Sequence, residues 1–456
     1  MNAKTPYLFG GLGISFILGF ILFLAGQPYE VYVTASITLL CAFWWITEAI
    51  PVPATGLVPL AIFPLLGVLT PTQVAQAYGS PLILLYMGGF ILSTAMERSG
   101  AHRRIALNMV NIFKGGEKSV VFGFMLASAT LSMWISNTAT GLMLLPIALA
   151  VLESTDSKAT KAALLLGVAY ACNIGGMGTP IGTPSNLIFM QVYTDVTGES
   201  ITFIDWMAWG VPALIIFLPL MYFWLTRQLS NNNKLSVPST GSWRTEEKRT
   251  LWVFAFTALA WVTRQEPFGG WSQLFNIPMA NDASVAMVGA IALFLIPNGK
   301  GEKLLDWETA VKIPWGILIL FSGGICIATA FVESGISMMI GEMLASLTGI
   351  NLYLLMLAIC LVVTFLTEMT SNTATSALLM PILSAAAIGA LIDPRLLMVP
   401  AVMSASCAFM LPVATGPNAV VYSSGQVKIR KMMSEGFVLN LIGAGVISTV
   451  CFLIIA

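Results

Sequence analysis

Two apolar stretches of this chain, Ser119–Leu152 and Ile350–Leu391, are too long to cross a bilayer once and carry a polar cluster near their middles. A continuous helix of about 34 residues rises ~50 Å, against a hydrocarbon core of ~30 Å, so each stretch folds back or breaks. The first contains Leu131-Ser-Met-Trp-Ile-Ser-Asn-Thr-Ala-Thr140, and its Ser136-Asn137-Thr138 returns as Ser371-Asn372-Thr373, again followed by Ala-Thr. Hydroxyls and amides are costly in hydrocarbon unless they are satisfied. A polar tip that occurs twice in apolar sequence therefore marks two half-sites that face each other.

The rest of the chain is just as poor in water-compatible surface. Of its 456 residues 57% are hydrophobic and 9% charged, and the mean hydropathy is +0.86, which makes it an integral membrane protein. Apolar segments of roughly 17–25 residues recur along the whole length, as in a polytopic helical protein and not in a barrel of short alternating strands. The formal net charge is zero, so nothing points to a nucleic acid as partner. The six cysteines lie in apolar segments without metal-ligand spacing and read as reduced packing residues. His102, the single histidine, falls in a basic loop. The first apolar segment lacks a small-residue cleavage pattern and reads as a retained span.

Eleven crossings are expected, over 7–26, 31–50, 54–69, 81–96, 161–177, 206–225, 251–262, 284–296, 314–332, 396–412 and 436–456. If 119–152 is a hairpin that enters and leaves by one face, all but Arg264 and Arg395 of the 21 Lys and Arg, Lys4 included, fall on one side. That asymmetry assigns this side, with the N-terminus, to the cytoplasm of a bacterial inner membrane. A single pass through 119–152 would swap every later loop and abolish the bias. Both Ser-Asn-Thr tips therefore sit at re-entrant turns, where irregular backbone is tolerated only beside protein or a water-filled cavity.

The repeat extends beyond the tips. Gly88-Gly89 through Ser99-Gly100 matches Gly323-Gly324 through Ser334-Gly335 at the same offset that relates the tips, and Ile181-Gly-Thr-Pro-Ser-Asn186 matches Val413-Ala-Thr-Gly-Pro-Asn418. An odd number of crossings separates the two hairpins, so the second copy is inverted. Inverted repeats with helices broken near the midplane mark secondary transporters. The expected organisation is scaffold helices at 1–118, a transport unit of hairpin and broken helix at 119–226, a cytoplasmic linker at 227–249, scaffold helices at 250–349 and a second transport unit at 350–456.

Each half thus offers a hairpin tip and an interrupted helix, Gly182-Thr183-Pro184 or Ala414-Thr415-Gly416. Hydroxyls, amide oxygens and the freed carbonyls of a break are hard ligands suited to sodium, and the N-termini of the half-helices offer N–H groups and positive dipole ends to an anion. No Arg, Lys or His lies within either tip or either break. The countercharge of a bound anion must then come from bound cations, so two or more sodium ions and a small dianion are expected to bind together. Polar residues in membrane helices often serve only as hydrogen-bonded glue between helices, but glue gives no reason to repeat one triplet at two related breaks. Gly175-Gly176-x-Gly178 lacks the strand context of a phosphate loop, and the 24 methionines read as packing. Glu48 and Glu368 are the acids nearest to apolar surroundings, with a helix-end or hairpin role expected ahead of a proton relay.

At these residues the chain resembles the divalent anion:sodium symporter family, the INDY-type dicarboxylate transporters. Paired Ser-Asn-Thr tips mark that family, and Ala405-Ser406 through Val420-Val421 is similar to its signature pattern. The resemblance implies a first sodium site of Ser132, Ser136, Asn137 and the Gly182 carbonyl, and a second of Thr367, Ser371, Asn372 and the Ala414 carbonyl. It implies that Asn137, Thr138, Thr183, Asn372, Thr373 and Thr415 hold the carboxylates. It further implies an all-α fold of eleven spans and two re-entrant hairpins, and a homodimer in membrane lipid whose transport domain moves against its scaffold as an elevator. Gly416 departs from the family, where proline is expected, and is expected to loosen that turn. The function expected is sodium-coupled import of C4-dicarboxylates such as succinate, fumarate or malate, with sulfate, tricarboxylate or exchange as alternatives. An enzyme is disfavoured because no nucleophile, base or metal cluster lies in the apolar segments. A channel has no use for two inverted half-sites.

Overall fold

The computed structural model describes residues 5–155, 157–229, 234, 235, 237, 241–265, 269–339 and 351–456. Lys4, the middle of the 227–249 linker, Ile350 and the end of the second scaffold segment lie outside the described residues. The described chain is nearly all helix. Its first half runs through Thr5–Leu24, Tyr29–Thr47, three short helices within 52–78, Pro81–Ser99 and Ala101–Ile112. Then come Glu117–Ser132, Asn137–Leu152, Lys158–Gly175, Pro184–Thr197 and Phe203–Thr226. The second half runs through Thr245–Val262, Asp282–Leu295 and Trp315–Glu333 to Leu352–Thr367, Asn372–Gly389, Arg395–Ala405, Gly416–Ser423 and Ile429–Ile455. Seven helices among the described residues are long and apolar enough to cross a membrane, by length and composition.

Each over-long apolar stretch breaks into two helices at its Ser-Asn-Thr triplet. Ser136 and Ser371 stand at the N-cap, Ser371 with extended backbone, and Asn137 and Asn372 open the next helix. Elsewhere helix ends differ from expectation. The segment 396–412 is helical only to Ala405, because the chain turns irregular before Pro412. The segment 54–69 is two short helices, Val52–Thr55 and Leu57–Leu65. His102 lies not in a loop but in the first turn of Ala101–Ile112, with Nδ1 2.9 Å from the Met96 carbonyl oxygen.

Burial sorts the helices from the rim to the centre. Thr5–Leu24 buries only Gly11 and Ser15 and turns Phe16, Phe20 and Leu24 outward, as a helix facing lipid does. Lys158–Gly175 is buried without interruption from Ala162 to Gly175 and forms the axis of the bundle. Small residues let backbones touch there: a Cβ on Gly175 would lie 2.8 Å from Ala129 Cα, and one on Gly323 would lie 2.8 Å from Gly56 Cα.

The basic loops are joined to one another. Arg98 pairs with Asp306 at 2.5 Å, Arg104 with Glu247 at 2.6 Å, Lys300 with Glu246 at 2.7 Å and Arg227 with Glu435 at 2.8 Å. Gly115-Gly116 pairs antiparallel with Lys234-Leu235, which ties the linker to the loop before the first hairpin. Burial opposes ionisation of Glu247, but hydrogen bonds from Arg104 and Arg244 outweigh it and hold the carboxyl below its usual range. The two basic residues left over, Arg264 and Arg395, pair with Asp282 and Asp393. Arg264 follows the far end of the helix whose near end carries Arg244.

The glycine contacts predict a stability difference. Gly175→Val or Gly323→Val should destabilise the protein by about 3 kcal/mol, because backbone cannot yield to a side chain. Gly13→Ala, with open space around it, should leave the melting temperature in detergent unchanged or slightly raised.

Candidate functional site

Four helices begin at one cleft. Asn137–Leu152 and Asn372–Gly389 start at the hairpin tips, and Pro184–Thr197 and Gly416–Ser423 start at the two breaks. Proline at the first or second helical position of each post-break helix fits there because the missing N–H would have no helical partner anyway. Ser136, Asn137, Thr138, Gly182, Thr183, Ser371, Asn372, Thr373, Ala414 and Thr415 all line this cleft, of about 180 Å³. That is below the roughly 300–1,000 Å³ of a drug-sized pocket. Four dipole ends converge there, and none of the lining residues is Asp, Glu, Lys, Arg or His.

Ser132 and Thr367 stand behind the cleft, fully buried. Ser132 Oγ lies 2.5 Å from Asn137 Oδ1 and 2.8 Å from the Cys172 carbonyl. Thr367 Oγ1 lies 2.9 Å from Asn372 Oδ1 and 3.0 Å from the Ala405 carbonyl. Each hydroxyl has one proton to donate and meets two acceptors. In both halves three oxygens therefore converge around a single proton, an arrangement that a hard monovalent cation suits better. The Gly182 carbonyl and the Asn137 amide both border Gly176, where an added Cβ would lie 3.2 Å from Gly182 O and 2.9 Å from Asn137 Oδ1. The Cys172 and Ala405 carbonyls were not legible in the sequence, since they lie on helices packed behind the tips.

The halves differ in their hydroxyls. Ser371 Oγ accepts from Ala374 N at 3.1 Å and Thr415 Oγ1 from Asn418 N at 3.3 Å, whereas neither Ser136 nor Thr183 caps its helix. Gly416 is not among the glycines with positive φ. Its missing side chain makes room for Thr138, whose Cβ would stand 2.8 Å from a Cβ there.

Two asparagines hold the breaks shut. Asn186 Nδ2 donates to the carbonyls of Gly176 (3.0 Å) and Thr179 (2.8 Å), and Asn418 Nδ2 to those of Ala408 (2.9 Å) and Leu411 (3.1 Å). Trp206 Nε1 donates to Met177 O at 2.9 Å, and Asn173 Nδ2 reaches across the halves to Ala408 O at 3.0 Å. The sequence reading missed the cleft's other wall, Tyr86 and Phe90 from Pro81–Ser99 and Ile317 from Trp315–Glu333. Their only signal was the Gly88-Gly89 and Gly323-Gly324 repeat on the same helices.

A family model described as citrate transporter matches residues 42–395. The chain belongs to this family. A sodium-dependent dicarboxylate transporter of Staphylococcus saprophyticus is 40% identical over 445 residues, spanning 92% of this chain and 85% of the relative. One from Staphylococcus aureus is 38% identical, spanning 98% and 92%. These likenesses bear out the resemblance to the divalent anion:sodium symporters. Two solved transporters share the fold: YdaH of Alcanivorax borkumensis at a TM-score of 0.60 and 13% identity, over 92% of this chain and 98% of that one, and MtrF of Neisseria gonorrhoeae at 0.58 and 14%, over 96% of each.

Removing either clamp tests the breaks. Asn186→Ala leaves the Gly176 carbonyl without a donor, at a cost of about 1–3 kcal/mol, whereas after Asn418→Ala the Ala408 carbonyl keeps Asn173 Nδ2 and the Leu411 carbonyl keeps Ala414 N–H. Asn186→Ala should melt well below the wild type and lose transport, and Asn418→Ala should melt closer to it, as read by thermal unfolding in detergent and by uptake normalised to protein in the membrane.

Proposed function

We propose that this protein imports C4-dicarboxylates such as succinate, fumarate or malate by symport with two or more sodium ions. The observation that carries the reading is the single cleft where both tips and both breaks meet, with four helix N-termini for an anion, oxygen clusters for cations and no basic side chain. The relatives' names, sodium-dependent dicarboxylate transporters, support it. In this reading Ser132, Ser136, Asn137 and Gly182 O, and Thr367, Ser371, Asn372 and Ala414 O, hold sodium. Asn137, Thr138, Thr183, Asn372, Thr373 and Thr415 hold the carboxylates through N–H and O–H donors. Citrate is the second reading, favoured by the family's description.

The wider architecture follows the same reading. Eleven spans, two re-entrant hairpins and an inverted repeat lie in a bacterial inner membrane with the N-terminus cytoplasmic, and two copies form a dimer. The hairpins and broken helices of 119–226 and 350–456 carry the cargo as an elevator past the scaffold of 1–118 and 250–349. The lining by Tyr86, Phe90 and Ile317 supports this, since these residues belong to the scaffold segments and face the tips across the cleft.

Uptake of labelled succinate into proteoliposomes tests the function. It should require an inward sodium gradient, rise steeply with sodium and be stimulated by an inside-negative potential; undiminished uptake in potassium or choline would refute it. Asn137→Asp and Asn372→Asp each keep the oxygen for sodium but lose the amide donor and add charge beside the anion. Both should abolish dicarboxylate transport while sodium binding persists, and a normal Asn372→Asp beside a dead Asn137→Asp would mean that the tips are not equivalent.

No carboxylate or imidazole lines the cleft, so pH should act mainly through the substrate, with the dianion the transported form. Uptake of a dianion that does not titrate between pH 6 and 8 should be flat over that range, and a severalfold change would reopen a proton relay.

A further inference from the structure

The half-sites repeat in their oxygen clusters and differ in charge at one position of the tip. Glu368 stands in the second tip where Met133 stands in the first, at the offset that relates Ser136 to Ser371. In the first half the link from tip to break is neutral, with Thr179 Oγ1 donating to the Met133 carbonyl. In the second half a carboxyl group makes it. Glu368 Oε1 accepts from Phe409 N at 2.6 Å, Met410 N at 2.8 Å and Asn440 Nδ2 at 2.8 Å, and Oε2 accepts from Leu411 N at 3.0 Å.

All four partners donate, so the pocket is built for the carboxylate and not for the acid. The side chain is 3% exposed, and among the described residues no Lys or Arg pairs with it. N–H dipoles solvate this buried charge but do not neutralise it. The adjacent residue is Thr367, whose hydroxyl sits in the second oxygen cluster, and the three backbone donors lead directly into Ala414 and Thr415 of the cleft.

We propose that Glu368 is the fixed countercharge of the second sodium site and a positioning residue for the second break, and that it makes the two sodium sites unequal. The site at Thr367 and Asn372 fills at lower sodium than the site at Ser132 and Asn137, whose tip carries no charge. This rests on the sodium-coupled reading above. It also gives Glu368 a use that needs no proton transfer.

The test is sodium titration of succinate uptake by E368Q, which keeps the chain length and one acceptor oxygen but removes the charge. The half-saturating sodium concentration should rise on the order of tenfold, with the KM for succinate at saturating sodium within about twofold of wild type. E368D, which keeps the charge, should stay near the wild-type sodium midpoint. An active E368Q with the wild-type midpoint would overturn the proposal and leave the transport reading intact, whereas a wild type without sodium dependence would remove that reading itself. Should E368Q fail to fold, the comparison moves to sodium-dependent thermal stabilisation of Ser132→Ala and Thr367→Ala. The first should retain the tighter sodium response and the second only the weaker; the reverse order, or equal responses, would overturn the proposal.

Discussion

A helix interrupted in apolar surroundings leaves N–H and carbonyl groups that bulk water does not reach, and the site depends on how those groups are satisfied. Asn186 and Asn418 each take two of the freed carbonyls, and Trp206 takes a third. Gly182 and Ala414 line the cleft on one side of each break, and the starts of Pro184–Thr197 and Gly416–Ser423 line it on the other. In the proposed reading one backbone feature supplies both the cation ligands and the anion donors. The hairpin tips repeat the device, since Asn137 and Asn372 each carry an acceptor and a donor on a single amide.

The missing ingredient is a protein cation. An Arg in the cleft would bind a dicarboxylate with or without sodium and would leave the two ligands uncoupled. Four helix N-termini, each worth about half a charge at most, draw an anion in but cannot cancel a dianion. Cancellation then falls to sodium in the oxygen clusters, where the low dielectric strengthens the attraction across the short distance between the two ligands. Coupling in this account is electrostatic bookkeeping between cargoes. It needs no conformational signal to pass from one site to the other.

Much of this was legible in the sequence, for identifiable reasons. The over-long apolar stretches forced a break, and the repeated Ser-Asn-Thr located it, because polar groups in hydrocarbon are rare enough to carry information. The cleft residues named from the tips and breaks do meet at one place, apart from Ser132 and Thr367, which back it. What the sequence concealed was anything set by packing between distant segments. Tyr86, Phe90 and Ile317 look like ordinary span residues until the helices are assembled. Gly416 was visible as a departure from the expected proline, but not its close approach to Thr138. Helix ends failed where irregular backbone follows an apolar run, as at Ala405, because hydropathy does not distinguish a helix from a satisfied break. Glu368 was visible as an odd acid, but its partners lie some 40 and 70 residues away.

The central claim is that dianion and sodium hold each other in a cleft that neither occupies well alone. The most direct measurement is equilibrium binding of labelled succinate to the purified protein across a sodium series at constant ionic strength, with choline as replacement. The account predicts no detectable binding in choline and an affinity that rises with sodium more steeply than the first power. Tight binding of succinate in the absence of sodium would contradict it.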